Sequence, residues 1–431
     1  MKAHPGLGRN ILWLVFSRFG TQALAVVFTV IVARRLGSRG FGEYAFIAAA
    51  IFLGNALTTF GTDMLLIREI AASNQLSRLP AALLLQLGLS GIFIAAVLLM
   101  APVLPNQSPA VVAGLEIYSF ALLPLAFFSV FTTALRGLQL MDAYTLLNLA
   151  VNLLPAAAAW LFIHAGSSVV SLAVILLIVQ VAGAVIAGWI CMAHIPGFWQ
   201  AWRFSLPDTI ILIKMVAPIA LIALIGILYQ KISIAMLSTF AGPAVTGWFS
   251  AALRVLEASK TVHLAAFTAL YPAMALAAGG RPAGEAGLPG GAPWRGSFRL
   301  SWKFLLLGAG LVSTALFFLA APLTGFLYGG DFAPSGPALK LLAWVLIPFT
   351  VNTFYSLYNL ANHKEKLVMG VQLAGLVALV SLNAWWIPKW GLSGACLAAI
   401  LAESAQAAIY LVSTVDLHQQ ARRLISAVIR S

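Results

Sequence analysis

Acidic residues are scarce in this chain. Asp and Glu together number 12 in 431 residues, against 25 Lys and Arg, and most stand alone. Chemistry that relies on paired carboxylates, whether to bind a metal or to move protons, has little to work with. A membrane glycosyltransferase acting on polyprenyl carriers, which needs carboxylates and substantial outer loops, is a poor match. Cysteine is nearly absent. Cys191 and Cys396 both fall inside apolar stretches, which reads as packing rather than as a disulfide, a metal site or a nucleophile. There is no GxxxxGKS/T loop, no HExxH and no CxxC, which excludes a built-in ATPase, a zincin and a dithiol redox centre. No cofactor and no metal are expected.

What the chain has instead is apolar length. It is 61% hydrophobic and 9% charged, with mean hydropathy +0.98. Twelve apolar stretches run over roughly 10–32, 43–66, 80–104, 111–135, 145–164, 169–191, 215–238, 244–274, 301–328, 337–360, 367–387 and 391–413. About 20 apolar residues span a bilayer as a helix. Only helices and closed barrels satisfy the backbone there, and runs this long are helices. The fold class expected is therefore all-α and polytopic, with about 12 transmembrane helices in two six-helix bundles, 1–205 and 206–413, and a tail over 414–431. The first run, Ile11 to Ala33, is too long for a cleaved signal and has no small-residue cleavage site.

A net charge of +13 suggests nucleic acid in a soluble chain. Here it is better read as cytoplasmic loops, and no nucleic-acid partner is expected. With the N-terminus inside, 16 of the 25 Lys and Arg fall in cytoplasmic segments and five outside: Arg34, Arg35, Arg39, Lys340 and Lys389. That bias places both termini in the cytoplasm, with Arg34, Arg35 and Arg39 breaking the rule. The stretch from Gly279 to Ser297, rich in Gly and Pro, reads as a flexible cytoplasmic linker. Phe198, Trp199, Trp202 and Phe204 around Arg203 suit the membrane interface. The tail puts Leu417, Ala421, Leu424, Ile425 and Val428 on one helical face, as an amphipathic helix lying on membrane lipids would.

A weak internal repeat supports two like halves. Gly37 and Gly42, five apart with Tyr44 following, align with Gly242 and Gly247 followed by Phe249. Prolines at 124, 155, 218, 272 and 348 interrupt apolar runs and are expected to bend them.

Four cations remain inside the spans: Arg18, Lys231, Arg254 and Lys260. Each costs about 2.5–3.5 kcal/mol at mid-bilayer on insertion scales, so each needs water, a partner or a ligand. Glu257 shares a helix face with Arg254 at i, i+3 and is the candidate for charge pairing or ion coupling. Glu116 and Glu403 are further carboxylates that either neutralise a cation or serve their own helix ends. An interior surplus of cations suits an anionic cargo, with Arg offering a bidentate fork to phosphate and Lys a point charge. Arg18, Lys231, Arg254 and Lys260 are thus the candidate substrate-binding residues.

Specific runs carry a resemblance. Ala33-Arg34-Arg35-Leu36-Gly37 leading into Phe41-Gly42-Glu43-Tyr44, then Phe60-Gly61 and Leu66-Ile67-Arg68-Glu69, resemble the polysaccharide-biosynthesis (Wzx-type) flippases of the multidrug/oligosaccharidyl-lipid/polysaccharide (MOP) superfamily. Gly242 to Glu257, and Ile387-Pro388-Lys389-Trp390-Gly391 with Gly394-Ala395, are similar to later motifs of that family. The resemblance implies a MATE-like fold and movement of an undecaprenyl-diphosphate-linked oligosaccharide across the bacterial inner membrane, for cell-surface polysaccharide such as lipopolysaccharide. It also implies a polysaccharide polymerase as a partner. It assigns no cargo residues; those rest on the charges alone. The alternative is a cation-coupled drug or metabolite exporter of the same superfamily. That reading calls for a carboxylate in the first bundle, where the first helix offers Arg18 and no acid.

Overall fold

The computed structural model describes residues 7–202, 204–278, 293–361 and 364–430. Those residues are helical almost throughout, with no strand among them. The helices are α1 (Leu7–Thr59), α2 (Thr62–Ser73), α3 (Leu79–Met100), α4 (Pro109–Ser119), α5 (Leu122–Gly137), α6 (Met141–Phe162), α7 (Val169–His194), α8 (Leu206–Phe240), α9 (Pro243–Ala278), α10 (Pro293–Tyr328), α11 (Ser335–Ala343), α12 (Leu346–Ala361) and α13 (Glu365–Arg430).

Among the described residues, eight helical runs are long and apolar enough to cross a membrane, or nine when the bent pair α11–α12 is one span. The difference from the twelve stretches of the sequence has a physical cause. α1 turns at Gly37 (φ 68°, ψ −179°) and α13 at Gly391 (φ 52°, ψ −120°), so each long helix carries two of the expected spans across a glycine break. The stretch 244–274 lies on α9, much of whose side chains fall outside the described residues. The chain is a multi-pass membrane protein of all-α fold.

Two of the prolines sit just after a break in their span rather than inside a continuous helix. The fourth stretch breaks at Phe120–Ala121 and the tenth at Trp344–Val345. Pro124 and Pro348 then occupy the first turns of α5 and α12, where the missing N–H has no intrahelical partner to lose. α11 and the following helix meet at 43°. Pro155, by contrast, sits inside α6, as expected. The linker reading also needs correction at one end. Residues 279–292 lie outside the description, but the backbone is already helical from Pro293. The face expected of the tail falls among side chains outside the described residues.

Helix starts follow ordinary capping chemistry. Ser108 Oγ accepts from Val111 N–H at 3.3 Å, Ser168 Oγ from Val170 N–H at 3.2 Å and Ser205 Oγ from Asp208 N–H at 3.4 Å. Interiors are apolar and close-packed, with small residues where helices approach. Leu66, Leu79, Leu83, Leu135 and Leu147 anchor one cluster; Cys191 joins it, its thiol donating to the Phe131 carbonyl at 3.5 Å. Cys396 is buried as well, and both thiols are free. The outward faces are also apolar: Leu99, Phe318 and Phe326 are each more than 70% exposed, as surfaces bathed in lipid are.

By contact the chain divides into two compact units, Met1–Ala251 with Leu327–Phe332, and Ala252–Phe326 with Ala333–Ser431. In the first, α1 packs on α6 and α8, α5 on α7 and α2, and α4 on α7. In the second, α13 packs on α11 and α12. α8, placed by sequence at the head of the second half, packs within the first unit.

Candidate substrate-binding charges

The first unit holds Arg18 and Lys231. Arg18 lies on α1 between exposed Phe16 and Phe19, its own side chain exposed. Among the described residues its guanidinium makes no hydrogen bond or ion pair. Lys231 is half-buried on α8, its ammonium 5.1 Å from the centroid of the Phe52 ring. A ring face at that distance favours a cation without neutralising it.

The second unit holds Arg254, Glu257 and Lys260, all on α9. Helical spacing brings the Arg254 guanidinium to 3.1 Å from the Glu257 carboxylate, the i, i+3 pair expected from sequence. Both side chains are about one-third to one-quarter exposed (32% and 27%), so neither is sealed away from a ligand.

Lys260 is more deeply placed. Its ammonium stands 4.5 Å from the Phe349 ring centroid and 3.9 Å from Glu403 Oε1. Glu403 is not a helix-end residue; it sits inside α13 and is 7% exposed. Its Oε2 and its backbone carbonyl both accept from Asn352 Nδ2. Arg254 and Lys260 therefore each carry a carboxylate partner. Glu257 was legible from spacing. Glu403 was a candidate to neutralise a cation, but its pairing with Lys260, 143 positions away by their residue numbers, was not legible.

The family-like motifs turn out to be places where long helices break. Gly37 and Gly242 both have positive φ (68° and 86°), as do Phe60, Gly61 and Gly391, conformations that glycine adopts without penalty. The restart after Gly37 is capped by a distant residue: the Asp331 carboxylate accepts from the Ser38 N–H. The Asp331 carbonyl in turn accepts from Trp248 Nε1 at 2.9 Å, and Phe332 packs edge-on against Phe41. Gly42 and Gly247 touch backbone to backbone; a Cβ on either would run into the other's segment.

The arginines expected on the outer side have partners. Arg34 Nε donates to the Leu327 carbonyl at 2.7 Å and Arg35 to the Ile163 carbonyl at 3.2 Å, at the C-terminal ends of α10 and α6. Arg39 lies 3.7 Å from Glu43. A cation at a helix C-terminus satisfies unpaired carbonyls and opposes the dipole, at about 0.3–1 kcal/mol each. Elsewhere, Glu69 pairs with Arg78 at 2.8 Å.

Among the described residues no three His, Cys, Asp or Glu side chains gather as a metal site.

The sequence pattern of the family described as "Polysaccharide biosynthesis protein" matches residues 7–277. No curated protein matches the chain in sequence. Several solved structures match in fold. The lipid II flippase MurJ, in an inward closed conformation, superposes with TM-score 0.70 at 14% identity, over 94% of this chain and 87% of that one. An inward-facing multidrug resistance MATE family transporter of the MOP superfamily gives 0.69 at 15%, over 98% and 99%. A MOP superfamily transporter from Pyrococcus furiosus, described as having a binding pocket of reversed polarity, gives 0.65 at 16%, over 99% and 98%. At these identities the likeness is one of fold.

Proposed function

Since the chain belongs to the polysaccharide biosynthesis protein family, we propose that it is a flippase that carries a polyprenyl-diphosphate-linked oligosaccharide from the inner to the outer leaflet by alternating access. The observation that carries this reading is the presence of Arg18 and Lys231 inside helices long and apolar enough to span a membrane, with Arg254 and Lys260 on α9, where the sequence leads us to expect a further span. Cations are costly there, and a diphosphate is a ligand that repays the cost. Arg254 is the strongest candidate, because its fork can exchange the Glu257 carboxylate for a phosphate of the same geometry. The fold supports the same reading, being shared with a lipid II flippase and a multidrug resistance transporter. We place the protein in the bacterial cytoplasmic membrane, both termini inside, in supply of a polysaccharide polymerase. An anionic head leaving an inside-negative cell gains about 2.3 kcal/mol per charge per 100 mV, provided the protein's own cations stay behind.

The test is translocation of a fluorescent undecaprenyl-diphosphate oligosaccharide in proteoliposomes, wild type beside Arg254→Ala. Transport by wild type, and its loss in the variant with folded protein retained, is the expected result. Equal transport by both removes Arg254 from the cargo site. Absence of transport by either removes the cargo. A second reading, a cation-coupled exporter of drugs or metabolites, is favoured by the buried carboxylate Glu403; cation-dependent drug resistance on expression would establish it.

A further inference from the structure

Lys260 and Glu403 form an unusual pair. The ammonium is near enough to Oε1 to be held electrostatically, yet at 3.9 Å it is beyond hydrogen-bond reach. It rests instead on the Phe349 ring, 4.5 Å away, a seat that does not depend on the carboxylate. Glu403's hydrogen-bond partner is the neutral amide of Asn352. That amide's own oxygen is buried with no partner among the described residues, in a residue 8% exposed. An amide can present either end to a neighbour. Its NH₂ suits an ionised carboxylate, and its unpartnered oxygen suits a carboxylic acid that donates. The site is thus furnished for both protonation states of Glu403.

Among the described residues, the polar and charged groups facing this carboxylate are Lys260 from α9 and Asn352 from α12. α11, which also packs on α13, offers Lys340, whose ammonium stands 5.7 Å from the Phe317 ring centroid instead. On α9 itself the next charges are the Arg254–Glu257 pair.

We infer that Glu403 and an anionic ligand compete for Lys260, with a proton deciding between them. Ionised, Glu403 keeps the ammonium. When it takes a proton from hydronium, leaving water, the ammonium is freed for the anion. A buried carboxylate stripped of its cation is costly, so the anion in turn favours the proton. Proton and anion then bind with positive, reciprocal linkage. This rests on the diphosphate reading above, and it moves the coupling carboxylate from Glu257 to Glu403.

The experiment is calorimetric binding of farnesyl diphosphate to the purified full chain in detergent, from alkaline to mildly acidic pH. Wild type should bind more tightly as pH falls. Glu403→Gln should bind tightly throughout, about tenfold better than wild type at alkaline pH, in the range usual for linked sites. The probe's own titration is common to both proteins and cancels in the comparison. Lys260→Gln should give the same flat difference without the tightening, and serves by itself should Glu403→Gln fail to fold. A wild-type profile parallel to that of either variant, with firm binding, overturns this inference and leaves the flippase reading in place. Absence of binding by wild type at any pH overturns both.

Discussion

Replacing Gly247 by Ala sets two effects of opposite sign against each other. Gly247 is helical, near the start of α9, where Ala is favoured over Gly by about 0.5–1 kcal/mol. Propensity alone therefore predicts a more stable protein. Packing predicts the reverse. A Cβ at Gly247 would overlap the Ser38 carbonyl oxygen, with the Ser38 carbonyl carbon at 2.9 Å and the Gly42 nitrogen at 3.2 Å. A Cβ at Gly42 would overlap the Pro243 carbonyl oxygen and lie 2.8 Å from the Gly247 nitrogen. All of these are backbone atoms, which cannot rotate aside as a side chain does. Relief requires the two helix starts to separate, and overpacking of this kind costs about 1–3 kcal/mol or more. The expected net effect of Gly247→Ala is a loss of about 0–2.5 kcal/mol, with Gly42→Ala alike. Gly88 is the control: it is helical in α3, and a Cβ there meets nothing within 4 Å. Gly88→Ala should gain up to about 1 kcal/mol. The assay is the unfolding midpoint in detergent at fixed lipid content. A midpoint raised by Gly247→Ala as much as by Gly88→Ala would refute the close approach.

Other substitutions test single contacts. Asp331→Ala removes the acceptor for the Ser38 N–H at the restart of α1 and should cost about 1 kcal/mol, as loss of a helix cap does, while Asp331→Asn keeps most of it; the same midpoint measures both. Thr62→Val strands the buried Gln86 amide, which donates to Thr62 Oγ1 at 2.8 Å, and should cost about 1–3 kcal/mol. Thr62→Ser, which keeps the hydroxyl, should restore most of that loss. Arg78→Ala breaks a pair whose side chains are 39% and 35% exposed. It should change stability by under about 1 kcal/mol, by an amount that shrinks in high salt.

The parts of this protein that were legible in sequence are those set by local pattern. Apolar length placed the helices, and i, i+3 spacing paired Arg254 with Glu257. The parts that were not legible depend on residues far apart in the chain. Nothing near Lys260 points to Glu403, and a lone carboxylate on an apolar helix looks the same whether it pairs across the bundle or faces its own helix end. Pro124 and Pro348 were legible only in part, for a different reason. Proline marks a helix interior that must bend or a first turn that tolerates it, and only the breaks at 120–121 and 344–345 decide between these. The motif glycines are the opposite case. Their recurrence was visible, but the reason for it, positive φ at Gly37 and Gly242 and backbone contact between Gly42 and Gly247, belongs to the folded chain.

Arg34 and Arg35 also tell something about time. The carbonyls that receive them are made 128 and 293 residues later. At a synthesis rate of roughly 5–20 residues per second, the first acceptor emerges about 6–26 s after its arginine and the second about 15–59 s after. Throughout that interval the end of the first apolar run carries bare charges of the kind that steers a nascent helix toward the cytoplasmic side. With both termini cytoplasmic, as proposed above, α1 enters the membrane under a signal opposed to its final placement, and the ribosome must deliver α6 and α10 before these two arginines meet their acceptors. The middle of α1 is thus among the first segments synthesised and among the last to meet these partners.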